Sequence, residues 1–123
     1  MTGLTRLGWT GVKTRQFDQM NTFYRDVLNL DVLSMDDKAG RFKLRDGTEV
    51  HVYGHLDEDH DFFGDGPVVA LEVDDFAVAR ARLLAAGIRF AYEEPQRASG
   101  KIWQHFFAPD GNVYEIIGDD VAA

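Results

Sequence analysis

The apolar positions of this chain change period along its length, and the changes come in the same order twice. Leu7-Gly8-Trp9-Thr10-Gly11-Val12-Lys13-Thr14 reads as a strand whose two glycines admit a close neighbour. From Phe17 the period lengthens: Phe17, Met20, Phe23, Tyr24, Val27 and Leu28 recur at three and four, the stripe of an amphipathic helix that Asn29 ends. Asp31 to Met35 begins a strand, and residues 41–45 and 48–53 flank Asp46-Gly47, a hairpin signal. Pro67 to Val73 is the next strand. Asp74 or Asp75 caps a helix running through Ala86, with Gly87 just past its end. Ile88 to Tyr92 is extended, Glu93 to Gly100 is a loop, and Lys101 to Phe107 pairs with Val113 to Ile117.

The order is strand, helix and three strands, repeated once. Asp46-Gly47-Thr48-Glu49-Val50-His51-Val52 is answered by Asp110-Gly111-Asn112-Val113-Tyr114-Glu115-Ile116, so His51 and Glu115 take equivalent places. Two repeats are too few for a solenoid, and a pair closing around a shared cavity is the expected arrangement. The pattern predicts a single domain with a first module over about 4–56, a linker over 57–66 and a second module over about 67–118. The acidic stretch from His55 to Gly66 holds Phe62-Phe63, which are expected to cover the cavity mouth or a partner subunit. His55, His60 and the run Asp57-Glu58-Asp59 read as solvated.

Composition narrows the classes. With 123 residues the chain can bury a core without staples, and with no cysteine it offers neither a disulfide framework nor a thiolate. Thirteen basic against 21 acidic residues give a net charge of −8, which repels nucleic acid and anionic membrane surfaces. No stretch has the pattern of a leader peptide or the length of a membrane span, so a cytoplasmic protein is expected, with neither nucleic acid nor membrane as partner.

Strand alternation sorts the candidate chemistry. If Phe42, Leu44, Val50 and Val52 pack on the helices, then Arg41, Lys43, Glu49, His51 and Tyr53 face the other side of the sheet. In the last hairpin Ile102, Phe106, Tyr114 and Ile116 face the helices, leaving Trp103, His105, Phe107, Val113 and Glu115 inward, with His105 opposite Glu115. Three roles stay open for His51, His105 and Glu115. They satisfy one another as buried polar groups, they orient a ligand stacked on Trp9 and Trp103, or they form a displaced metal site. Trp9 is core or ligand platform, with the glycines at 8 and 11 leaving room beside its ring.

Phe23-Tyr24-Arg25-Asp26-Val27-Leu28-Asn29-Leu30, Leu71-Glu72-Val73-Asp74-Asp75 and Ala108-Pro109-Asp110-Gly111-Asn112-Val113-Tyr114-Glu115, in that order, resemble the vicinal oxygen chelate superfamily of glyoxalase I, bleomycin-resistance proteins and extradiol dioxygenases. The resemblance implies an α+β fold of two βαβββ modules forming a half-open mixed sheet around a cavity, often in a homodimer. It also implies that metalloenzyme members place ligands at the positions of Trp9, His51, Val68 and Glu115. Trp9 and Val68 offer no lone pair to a metal, so the usual site is broken. No cofactor is therefore expected, and a divalent metal would have to use His51, His105 and Glu115. The expected function is binding of a small, partly aromatic or apolar molecule by Trp9, His51, Tyr53, Val68, Trp103, His105, Phe107 and Glu115, as resistance-type members do by sequestration. The alternative is a metal-dependent lyase, isomerase or dioxygenase on that non-standard set, or an enzyme with Glu115 as general base.

Overall fold

The computed structural model describes residues 3–64 and 66–122. The fold is α+β, with parallel and antiparallel strand pairs and, among the described residues, two α-helices. The chain divides into two compact units, one of residues 9–68 and one of residues 1–8 with 69–123. Strand β1 (Leu4–Lys13) contributes its second half to the former and its first half to the latter.

In the unit of residues 9–68, β1 leads to helix α1 (Phe17–Thr22), a π-helical turn (Phe23–Val27), β2 (Asp31–Met35), β3 (Ala39–Lys43) and β4 (Glu49–Tyr53). The strands lie in the order β2-β3-β4-β1, with β1 parallel to β4 in the register Trp9 to Glu49 and Gly11 to His51. The apolar face follows the alternation: Phe42, Val50 and Val52 are buried against Phe17, Met20, Tyr24 and Leu30. Leu44 departs from it. Strand β3 stops at Lys43, and Leu44 enters the turn, where its N–H bonds to Thr48 O and its side chain is exposed. The expected single helix is broken as well: Leu28 N–H reaches Phe23 O, a five-residue step that turns the last part into a π-turn before Asn29 ends it at φ 57°. Residues 61–63 of the linker form a 3₁₀ turn.

In the other unit the first half of β1 lies beside β5 (Val68–Val73), followed by α2 (Phe76–Ala85), β6 (Gln96–Ala98), β7 (Lys101–Phe107) and β8 (Val113–Asp119), in the order β1-β5-β8-β7-β6. Asp75 caps α2 by accepting Val78 N–H at 3.1 Å, and Gly87 follows it at φ 76°. Phe76 with Ala79 and Leu83 packs α2 on Val73, Ile102, Phe106 and Ile116, and Tyr114 joins them. Two local expectations are corrected. Residues 88–92 make a lone bridge, Phe90 to Phe106, and the 93–100 loop contains β6, an exposed three-residue strand on the edge of β7.

Candidate functional site

Alternation along β4 puts Glu49, His51 and Tyr53 on the face opposite the apolar core, where they form a hydrogen-bonded row. Arg41 Nη2 donates to Glu49 Oε1 at 2.7 Å, and His51 Nε2 lies 2.9 Å from the same oxygen. A carboxylate only accepts, so Nε2 carries the proton, and Nδ1 accepts the Tyr53 hydroxyl at 2.9 Å. Trp9, brought alongside by the β1/β4 register, stacks on His51 with ring centroids 4.6 Å apart and planes 10° from parallel. Gly11 makes this possible, because a Cβ there would sit 2.8 Å from the Trp9 ring. Gly8 does not share that role: it faces Ile117, Glu72 and the Ala70 carbonyl.

Burial holds the His51 ring below its ordinary value of 6.5, against the opposing pull of Glu49. Burial pushes the Glu49 carboxyl up, but hydrogen bonds from His51 and Arg41 outweigh it and leave the group lowered. The unfolded chain thus takes up a proton that folded His51 refuses, so stability is full above about pH 6.5 and falls as pH drops below it. Urea titrations are expected to show the unfolding free energy declining between about pH 7 and about pH 5, and His51→Gln is expected to flatten the upper part of the decline. A wild-type curve without slope over that range would contradict a buried, neutral His51.

The linker joins this row, contrary to the solvated reading of its charged residues. Asp57 is only 6% exposed and binds His60 twice, through the backbone N–H at 3.1 Å and Nδ1 at 2.9 Å. Lys13 donates to Gly54 O at 3.2 Å and to Asp57 O, and pairs with Asp61 at 2.9 Å. His60 stacks on Tyr53 at 3.8 Å, and Phe63, 3% exposed, reaches Trp9, Tyr53 and His60. Asp57 to His60 is an i, i+3 spacing that brings the two side chains together in a turn. That spacing was the available signal, and the surrounding acidity masked it. His55 is exposed as expected, and Val68 is fully buried. A cleft of about 550 Å³ in this unit lies elsewhere, between Arg15, Asp18, Asp36 and His55, and Trp9, His51 and Tyr53 do not line it.

In the other unit His105 and Glu115 are register partners on β7 and β8, with Nε2 3.1 Å from Oε1 and both groups under 5% exposed. Tyr92, which the periodicity did not single out, bonds His105 Nδ1 at 2.8 Å and accepts its backbone N–H at 3.1 Å. Burial pushes the Tyr92 hydroxyl well up, so it stays a donor. Gln104, fully buried, binds Tyr92 O and Glu93 O and accepts from Arg80 at 2.8 Å, fixing the segment that carries Tyr92. Trp103 is tied to Gln96 through its indole N–H at 2.9 Å, and Phe107 lies under the Arg89 guanidinium at 4.4 Å.

The four positions at which the resemblance places metal ligands do not make up a divalent-ion site. Trp9 and Val68 have no ligating lone pair, and the lone pair of His51 Nδ1 is taken by Tyr53. Among the described residues, no three His, Cys, Asp or Glu side chains gather as a metal-holding group.

A family model described as the Glyoxalase/Bleomycin resistance protein/Dioxygenase superfamily matches residues 6–116. No curated protein sequence matches the chain. Among solved structures, the Mn(II)-bound glyoxalase from Novosphingobium aromaticivorans is 25% identical with a TM-score of 0.76 over 97% of this chain, which spans 40% of that protein's length. Methylmalonyl-CoA epimerase from Mycobacterium tuberculosis is 19% identical with a TM-score of 0.71, over 97% of this chain and 91% of its own. A glyoxalase/bleomycin resistance protein/dioxygenase superfamily member from Vibrio splendidus 12B01 is 21% identical with a TM-score of 0.68, over 93% and 98%. At those identities the last two share the fold.

Proposed function

Because the chain belongs to the glyoxalase/bleomycin resistance protein/dioxygenase superfamily, we propose that it binds a small, partly aromatic or apolar molecule on the face of Trp9, His51 and Tyr53, without a metal ion. The observation that carries this reading is the Trp9–His51 stack: a planar platform whose histidine has both ring nitrogens committed to protein partners. The three rings are at most 9% exposed with Phe63 against Trp9 and Tyr53, so the platform offers apolar area and orientation to a ring that gains entry, whereas a metal-ligand set would need that Nδ1 lone pair. Tyr53 and Glu49 supply the polar edge.

The test is equilibrium dialysis of indole against chelator-treated protein. Saturable binding is expected, weakened at least about tenfold in Trp9→Ala, the size of effect that losing a central aromatic anchor gives. Binding that requires added divalent metal would overturn the reading. A second reading rests on His105 and Glu115, a carboxylate and an imidazole in contact and buried together. Such a pair can move a proton, with Glu115 as base in a lyase or isomerase. It predicts turnover of an activated carbon acid by the wild-type protein and none by Glu115→Gln.

A further inference from the structure

We propose that the linker carries its own stand-in for the ligand: the Phe63 ring fills an aromatic box, and a planar, phenyl-sized ring binds by displacing it. The inference rests on the binding face proposed above and adds the ligand's shape and the device that controls access.

Four observations support it. The walls of the box are rings, with Phe63 lying 6.2 Å from Trp9 in a stacked arrangement and edge-on to Tyr53 at 5.8 Å and to His60 at 4.9 Å, while the Phe62 ring, 5.0 Å away, belongs to the same turn as Phe63. Aromatic pairs prefer these offset and edge-to-face geometries, so the box accepts another six-membered ring as readily as this one. Phe63 is itself a buried core residue, 3% exposed, and it packs with Trp9 and Tyr53. The cluster of Phe42, Val50 and Val52 is a different one and packs on α1.

The segment that delivers the ring is short. It is a three-residue 3₁₀ turn followed by Gly64 at φ 71° and ψ −157°, a conformation that glycine alone adopts easily. Finally, the segment is held down by a polar clip. Lys13 gathers Gly54 O, Asp57 O and the carboxylates of Asp57 and Asp61, while Leu56 is half exposed and Glu58 and Asp59 face solvent. The outer arm of the clip, Lys13 to Asp61, has its carboxylate 71% exposed, so it can be opened at small cost. A site closed by its own plug binds ligand with an apparent affinity reduced by the open fraction.

The experiment titrates toluene, the phenylalanine side chain itself, into chelator-treated wild-type, Phe63→Ala and Asp61→Asn proteins, with binding read by ligand-observed NMR and folding by circular dichroism. Phe63→Ala is expected to bind toluene at least about tenfold tighter than wild type, and Asp61→Asn about two- to fivefold tighter, because each raises the open fraction. Asp61 bonds Lys13 and contributes no ring to the box, so its effect separates a displaceable plug from a cavity made by truncation. Equal affinity in wild type and Asp61→Asn overturns the plug while leaving the binding face standing. If Phe63→Ala does not hold its fold, Asp61→Asn decides by the same criterion. Absence of toluene binding by every folded form overturns the plug and the proposed binding face together.

Discussion

Phe42→Ala is expected to lower the free energy of unfolding by about 3–5 kcal/mol, the usual range for emptying a buried aromatic site. Phe42 is fully buried in β3 and meets Tyr24 at 5.7 Å, with Val50, Val52, Phe17, Met20 and Leu30 completing its surroundings. The six residues of α1 and the π-turn after them are too short to hold together by themselves, so the truncation also loosens the helical segment from its sheet. Against a typical domain stability of about 5–15 kcal/mol, the loss is a large share of the total. Urea denaturation checks it, and a loss below about 1 kcal/mol would show that the core collapses around the gap. Because strand alternation turns Phe42 away from His51, ring binding by the folded fraction of this variant is expected to stay unchanged.

Gly11→Val is expected to have the opposite profile, with modest destabilisation and severe loss of binding. A Cβ at position 11 would lie 2.8 Å from the Trp9 ring and 3.0 Å from the His51 carbonyl oxygen. The carbonyl belongs to β4, which is locked to β1 by register, so the backbone cannot retreat and the indole must move off His51. Overpacking of this kind costs about 1–3 kcal/mol. Loss of the platform is expected to weaken indole binding by at least about tenfold, while Gly8→Ala leaves it intact. Dialysis of both variants beside wild type measures this, and unchanged affinity in Gly11→Val would show that the Trp9–His51 stack is not the binding surface.

How far the sequence could be read follows from which forces act locally. Strand β2 matches its expected span, as does β7, and the Asp75 cap and Gly87 end of α2 are where side-chain chemistry puts them. Alternation also placed His51 and Tyr53 together and set His105 against Glu115, since period two is fixed by the backbone itself. The π-turn was invisible because Phe23 to Val27 keeps the three-and-four spacing of an α-helix. Strand β6 was invisible because Gln96, Arg97 and Ala98 are all exposed and show no alternation.

The linker was the substantial miss. Its conformation is set by the bonds of Lys13 to Gly54, Asp57 and Asp61, contacts of 41 residues and more along the chain. Read locally, Asp57 and His60 look like solvated charges. In the fold they are a buried carboxylate and the histidine that it orients against Tyr53. Tyr92 escaped for a related reason: its partner is His105, brought to it by the Phe90 to Phe106 bridge.

The most direct measurement of the central claim, a metal-free aromatic binding face, is an NMR titration of chelator-treated protein with indole, following the ring resonances of Trp9, His51 and Tyr53. Saturable, concerted shifts of all three in the absence of metal are predicted. Shifts that appear only after a divalent ion is restored, or that leave these three rings unmoved, would contradict it.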